Sequence, residues 1–435
     1  MLICLYILLI LASLSGLLVL ASIGIHRGRL KAETARKIVH AGMGVICLSF
    51  PLLFKSPVTV NILAGIAVAS LLAVRLTPLR TTIGSSLFAV ERISIGDLLF
   101  PISVAWLFSL ADGKFTLCTI ALLLLTLADT VGALAGSKYG KKIYYTFAGK
   151  KSVEGSLAFL ATAFVCIAIP LYLTTSISLP TILTLACSVG LFATAVEGAA
   201  GSGLDNLLIP IGSFLLLDYH ITLTGAELIF RISILLVILA VLVYTRKLHT
   251  LDGGAILTAL IYTFAAATLG GLPCLLACLV VLIRHIIVQR KMPQHLIVSH
   301  TLAIIVAIAI PTLLWLTLGV KGILTNDSAQ LGFICSLAMI ISMLHAGTQK
   351  FLGYGSASLL TGISLSVLVL LSSLSLLSSQ VSWKSTILLT LILTIPLSHS
   401  YYLWKRSRGD PDPTYWLKLC LLALLGTTPL LLIFL

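Results

Sequence analysis

The chain has 435 residues, of which 59% are hydrophobic and only 10% charged, and its mean hydropathy is +1.14. So little polar surface cannot cover a soluble fold of this length, so the composition predicts an all-α, polytopic integral membrane protein with no sizeable soluble domain. The formal net charge of +14 does not indicate nucleic-acid binding, because the basic residues lie in short loops between apolar runs and form no extended patch.

Residues 3–25 form an apolar run with no basic residue ahead of it, followed by Arg27, Arg29, Lys31, Arg36 and Lys37. A cleavable signal carries its charge first, so the run reads as a retained span within an N-terminal segment 1–30, its N-terminus outside. Further apolar runs predict spans near 38–54, 57–76, 98–111, 115–137, 155–174, 180–198, 207–218 and 224–245. Others follow near 253–270, 271–288, 298–319, 329–346, 354–378, 383–404 and 415–435, for about 14–16 helices in all. In this topology about 22 of the 28 basic residues fall in inward loops. The outer basic exceptions are Lys55, Lys114, Lys321 and Lys384, and the outer acidic ones are Asp112, Asp218, Glu227 and Asp327. Nine scattered cysteines show no CxxC spacing and read as small apolar fillers.

The polar chemistry concentrates between Asp129 and Gly155. Asp129 closes a long apolar run, Gly132, Gly136 and Gly140 follow at four-residue spacing, and Lys138, Lys141, Lys142, Lys150 and Lys151 come next. The glycine spacing strips one helical face of side chains, so that another helix or a phosphate chain can approach the backbone. The lysines supply point charges for phosphates, and Ser152 ahead of Glu154 is placed to open the next helix with free N–H groups. An aspartate at that depth reads as a metal ligand or a catalytic carboxylate. Gly149-Lys150-Lys151-Ser152 lacks both the earlier glycine and the ending of a P-loop, which excludes that mode of nucleotide binding. A structural account stands beside the chemical one, since membrane glycines at this spacing are packing devices and juxtamembrane lysines are topology signals.

The same topology brings other polar residues to the inner face: Arg36, Lys37 and His40, then Glu91, Arg92 and Asp97, then Glu197, then Asp205-Asn206 ahead of Pro210. Arg36-Lys37-Ile-Val-His40, Asp129 with its glycines, Lys151-Ser152-Val-Glu154-Gly155, and Glu197 with Asp205-Asn206 and Pro210 resemble the CTP-dependent polyprenol kinases. That family includes dolichol, phytol and farnesol kinases and is similar more broadly to membrane cytidylyltransferases that make CDP-lipids. The resemblance covers residues 30–220, about half of the chain.

It implies transfer of a phosphoryl group from CTP to the hydroxyl of a membrane isoprenoid alcohol, with Mg2+ or another divalent cation, at the cytoplasmic surface. Asp129 and Asp205 would ligate the metal, and Lys138, Lys150 and Lys151, with Ser152, Gly132 and Gly136, would hold the nucleotide. Glu154 or Glu197 would position or deprotonate the alcohol, and Asn206 would orient a carboxylate or ligate metal. Arg36, Lys37 and His40 are further candidates, His40 reading first as a satisfied interfacial histidine. Glu154 also stands at a spacing that pairs with Lys151 within a helix, and Asp205-Asn206 at one that caps a helix.

Residues 31–245 are thus the expected catalytic domain. Residues 246–435 form a multi-span domain outside the resemblance, with scattered Asp252, His285, His295, His300, His345 and His399. A cytidylyltransferase is the nearest alternative, and a transporter or flippase the more distant one. A transporter predicts polar groups near the bilayer midplane and internal repeats, whereas here the charges gather at one face.

Overall fold

The structure, a computed structural model, describes residues 2–80, 82, 95–146, 149–201, 203–291, 302–351, 383–404 and 415–431. Glu91, Arg92, His295, His300 and the expected span at 354–378 lie outside them. Ten helices are long and apolar enough to cross a membrane, and three shorter apolar helices accompany them among the described residues. The chain is an all-α polytopic membrane protein.

Two compact units divide it, Met1–Ser233 and Ile234–Leu435. The first runs through α1 (Leu2–His26), α2 (Ala32–Cys47), α3 (Phe50–Leu53), α4 (Pro57–Leu76), α5 (Gly96–Ala111) and α6 (Phe115–Leu123). A π turn, Leu124–Ala128, joins α6 to α7 (Asp129–Tyr139). A hairpin of β1 (Ile143–Thr146) and β2 (Gly149–Ser152) leads into α8 (Val153–Thr174), followed by α9 (Leu179–Ala199), α10 (Asp205–His220) and α11 (Gly225–Tyr244), within which the units divide. Helix α8 packs on both α7 and α9, while α10 packs on α5 and α9.

Local chemistry explains several of these boundaries. Ser56 caps α4 by accepting from Val58 N at 3.3 Å, with Pro57 in the first turn. Ser152 caps α8 by accepting from Gly155 N at 3.2 Å. Lys114 and Asp218, on the loop before α6 and the last turn of α10, meet at 2.6 Å, so those ends lie on one side.

The second unit continues with α12 (Gly253–Lys291), α13 (Leu302–Val320), α14 (Asn326–Phe351), α15 (Trp383–Trp404) and α16 (Tyr415–Thr427). Gly271, at φ 64° and ψ −160°, breaks α12 in two, which is why the sequence reads as separate runs there. Helix α14 is the centre of this unit: 89% of its span is buried, against α12, α13, α15 and α16. Phe333, Leu337, Ile340 and Met343 place its core.

The hairpin is the one β element among the described residues and was not expected. Ile143-Tyr144-Tyr145-Thr146 is β-branched and aromatic, a strand signal overshadowed by the lysines around it. Its register sets Tyr144 opposite Lys151 and Tyr145 opposite Lys150.

Candidate active site

The hairpin decides which lysine turns inward. Side chains alternate along a strand, so Tyr145 and Lys150 are exposed while Tyr144 and Lys151 are half-buried. Lys150 instead lies over the Tyr145 ring at 5.8 Å, and Lys138 over Tyr139 at 5.2 Å. Lys138, Lys141, Lys142 and Lys150 form an exposed basic rim around the inward Lys151.

Lys151 Nζ donates to Glu197 Oε1 at 2.5 Å and to the Glu197 backbone carbonyl, joining β2 to the last turn of α9. Burial works against the ammonium. The carboxylates of Glu197, Asp205 and Asp129 more than reverse this, and the Lys151 pKa is pushed above the ordinary lysine value. Three carboxylates, distant in sequence, therefore act on one cation.

Asp129 begins α7 directly after the π turn. Such turns interrupt the regular ladder and re-aim the residues beside them. His40 Nε2, from α2, lies 3.1 Å from Leu125 O within that turn and 3.4 Å from Asp129 Oδ2. A carbonyl only accepts, so Nε2 carries the proton. The ring is wedged edge-on against Phe100 of α5, centroids 5.3 Å apart. Lys37 Nζ donates to Ala133 O on α7 at 3.3 Å, and Arg36 is close enough to act on the Asp129 charge. The Arg36-Lys37-His40 segment thus docks on the helix that carries Asp129.

Asp205 lies in the first turn of α10, whose cap residue is Leu204. Asn206 Nδ2 donates to Gly96 O at 2.8 Å, fixing α10 against α5, where Asp97 pairs with Arg75 at 3.6 Å. Asp205 and Asp129 are near enough to repel one another.

Glu154 has a different environment. Its Oε2 accepts from Lys141 N at 3.0 Å and Lys142 N at 3.2 Å, and its Oε1 from Lys142 N at 3.2 Å. It pins the loop ahead of the hairpin, while Lys151, its expected helical partner, turns to Glu197.

The glycine face is filled by α8. A Cβ at Gly132 would stand 2.9 Å from Phe159 Cβ and 3.3 Å from Gly155 O. At Gly136 it would stand 3.1 Å from Ser152 Oγ. Of the two neighbours these glycines admit, the structure places a helix there; Gly132, Gly136 and Ser152 bring α7 and α8 together, which sets Asp129 near Lys151.

Sequence reasoning missed Tyr144, whose hydroxyl lies 2.8 Å from Ser156 Oγ, and the Lys151–Glu197 pair, 46 residues apart. Only the strand signal at 143–146 could have indicated that Lys150 and Lys151 face opposite ways.

Asp129 and Asp205 offer hard oxygen donors of the kind magnesium takes one or two of, keeping its other positions for water and phosphate oxygens. Among the described residues no three His, Cys, Asp or Glu side chains converge as a closed cage.

No family model and no solved structure matches the chain. A phytol kinase from Synechocystis sp. is 31% identical over 190 residues, which make up 42% of this chain and 78% of that relative. More than half of the chain lies outside the match. At that identity and coverage, the chain belongs to the phytol kinase family.

Proposed function

We propose that the protein transfers the γ-phosphoryl group of CTP to the hydroxyl of a membrane isoprenoid alcohol such as phytol, farnesol, dolichol or another polyprenol, at the cytoplasmic face. The observation that carries this reading is the gathering of Asp129, Glu197 and Asp205 around Lys151 beneath an exposed basic rim. Kinship with a phytol kinase supports the acceptor class.

Phosphoryl transfer demands positioning and charge neutralisation more than covalent work by the protein. In this reading the alcohol oxygen bonds to the γ-phosphorus, the bond from that phosphorus to the bridging oxygen breaks, and CDP leaves. Lys151 lies against the phosphates, and Lys138 and Lys150 draw the triphosphate in from water. Glu197 holds Lys151 in place and receives the alcohol proton. His40 orients Asp129, and Asn206 orients the start of α10 with Asp205. Mg2+ held by Asp129 and Asp205 would neutralise charge on the phosphate oxygens. Glu154 shapes the hairpin that delivers Lys151. The isoprenoid tail stays in the bilayer, entering laterally.

The test is transfer by the purified protein in liposomes with magnesium, γ-labelled CTP or ATP, and a panel of prenols. Label in a lipid monophosphate with CTP supports the proposal and reads the chain-length preference. Label reaching lipid only from the α-phosphate, with a lipid phosphate as acceptor, would replace it with a cytidylyltransferase.

A further inference from the structure

The second unit contains a cavity of about 130 Å3 between α11, α12, α13 and α14. Ile238, Leu282, Ile308 and Leu344 are among its apolar walls. Arg284, His285 and Gln289 line it from one stretch of α12. Arg284 counts among the inward basic residues although it falls inside the expected span at 271–288, and the structure sets it within the helix, about 10 Å before the end at Lys291.

Two of these residues, Arg284 and Gln289, each bury a polar atom that has no hydrogen-bond partner among the described residues. Arg284 Nη2 reaches His345 Nδ1 at 3.4 Å. Its Nε is sealed from the surroundings with no hydrogen-bond partner, and no carboxylate pairs with it among the described residues. Gln289 is only 8% exposed, and its Oε1 likewise has no partner among the described residues. His285 is engaged by Thr250 Oγ1 at 3.3 Å. A guanidinium stays charged at any ordinary pH, and holding that charge among apolar walls without an anion is costly. A ligand that carries the anion removes the cost.

We propose that this cavity binds an amphiphile with a compact anionic head, a carboxylate or a phosphate monoester. The head accepts from Arg284 Nε, and the Gln289 amide supplies an acceptor for a head that keeps an O–H. The first few methylene groups of the tail lie along Ile238, Leu282, Ile308 and Leu344, since about 130 Å3 takes only the head and a short stretch of chain. The site belongs to the second unit alone and does not depend on the kinase reading of the first.

Calorimetric titration of the full chain in neutral detergent tests it, using dodecyl phosphate, dodecanoate, dodecanol and inorganic phosphate as probes. The two anionic amphiphiles compete for one saturable site, dodecanol binds about tenfold more weakly or worse, and inorganic phosphate alone does not bind measurably. Arg284→Met removes this site. Gln289→Glu, which sets a carboxylate beside Arg284 within the protein, also removes it and serves independently should Arg284→Met fold poorly. Lys151→Met, in the first unit, leaves it intact. Equal affinity for dodecanol, binding of inorganic phosphate as tight as that of dodecyl phosphate, or anion binding unchanged in Gln289→Glu would each overturn the proposal.

Discussion

Lys151 in the first unit and Arg284 in the second are both cations drawn away from water, yet their surroundings are opposite. Lys151 has Glu197 at 2.5 Å, with Asp205 and Asp129 within electrostatic reach. Arg284 has a histidine and a partnerless Nε. A buried charge is tolerable when it is paired and hydrogen-bonded and costly when it is not. The first unit supplies its counter-charges from its own chain, and in the proposed function they also serve the reaction. The second leaves the counter-charge to be brought in.

The largest effect is expected on turnover. Asp129→Asn should lower phosphoryl transfer by about a hundredfold or more, as loss of a preorganised charge in a reaction centre does, with the helical circular dichroism unchanged. Next comes stability at the paired cation. Lys151→Met strands Glu197 and should lower unfolding free energy by about 3 kcal/mol, whereas Lys151→Met with Glu197→Gln should recover most of it. Arg284→Met strands no carboxylate, so its melting temperature in lipid-free detergent should equal or exceed that of the wild type. A fall there matching that of Lys151→Met would erase the contrast between the two units.

Smaller effects probe how the site is built. Gly132→Ala drives a methyl group toward Phe159 Cβ and should cost about 1–3 kcal/mol by overpacking, read as a lower denaturant midpoint. Ser152→Ala removes the cap on Gly155 N and should cost about 1 kcal/mol. The raised pKa of Lys151 sets a pH dependence. The stability its pair contributes is complete below the unfolded lysine value of about 10.4 and is lost only as pH rises through the higher folded value. Across pH 6–9 the small stability difference between the wild type and the double variant should therefore stay flat in thermal melts.

The membrane class and most helix positions were legible because apolar runs and glycine breaks are local signals, as at Gly271. Ser152 as a helix cap was legible for the same reason. The pairing of Lys151 with Glu197 was not, because it depends on a hairpin turning one lysine of two inward and on α8 lying against α9. Glu154 and Glu197 were offered the same role in sequence, and only tertiary structure shows that one accepts from backbone N–H groups while the other grips a cation. The π turn before Asp129 leaves no clear mark in Leu124-Leu125-Thr126-Leu127-Ala128. Arg284 was hidden by its nearness to Arg290 and Lys291, which made it resemble a topology signal.

The measurement that bears most directly on this account is transfer of label from γ-labelled CTP to phytol, made side by side for the wild type and the Lys151→Met, Glu197→Gln double variant. Removing both partners strands neither charge, so the fold should survive and the activity should report chemistry alone. A loss of about a hundredfold or more is expected at a nearly unchanged melting temperature. Near-normal transfer by a folded double variant would contradict it and move the reaction away from Lys151.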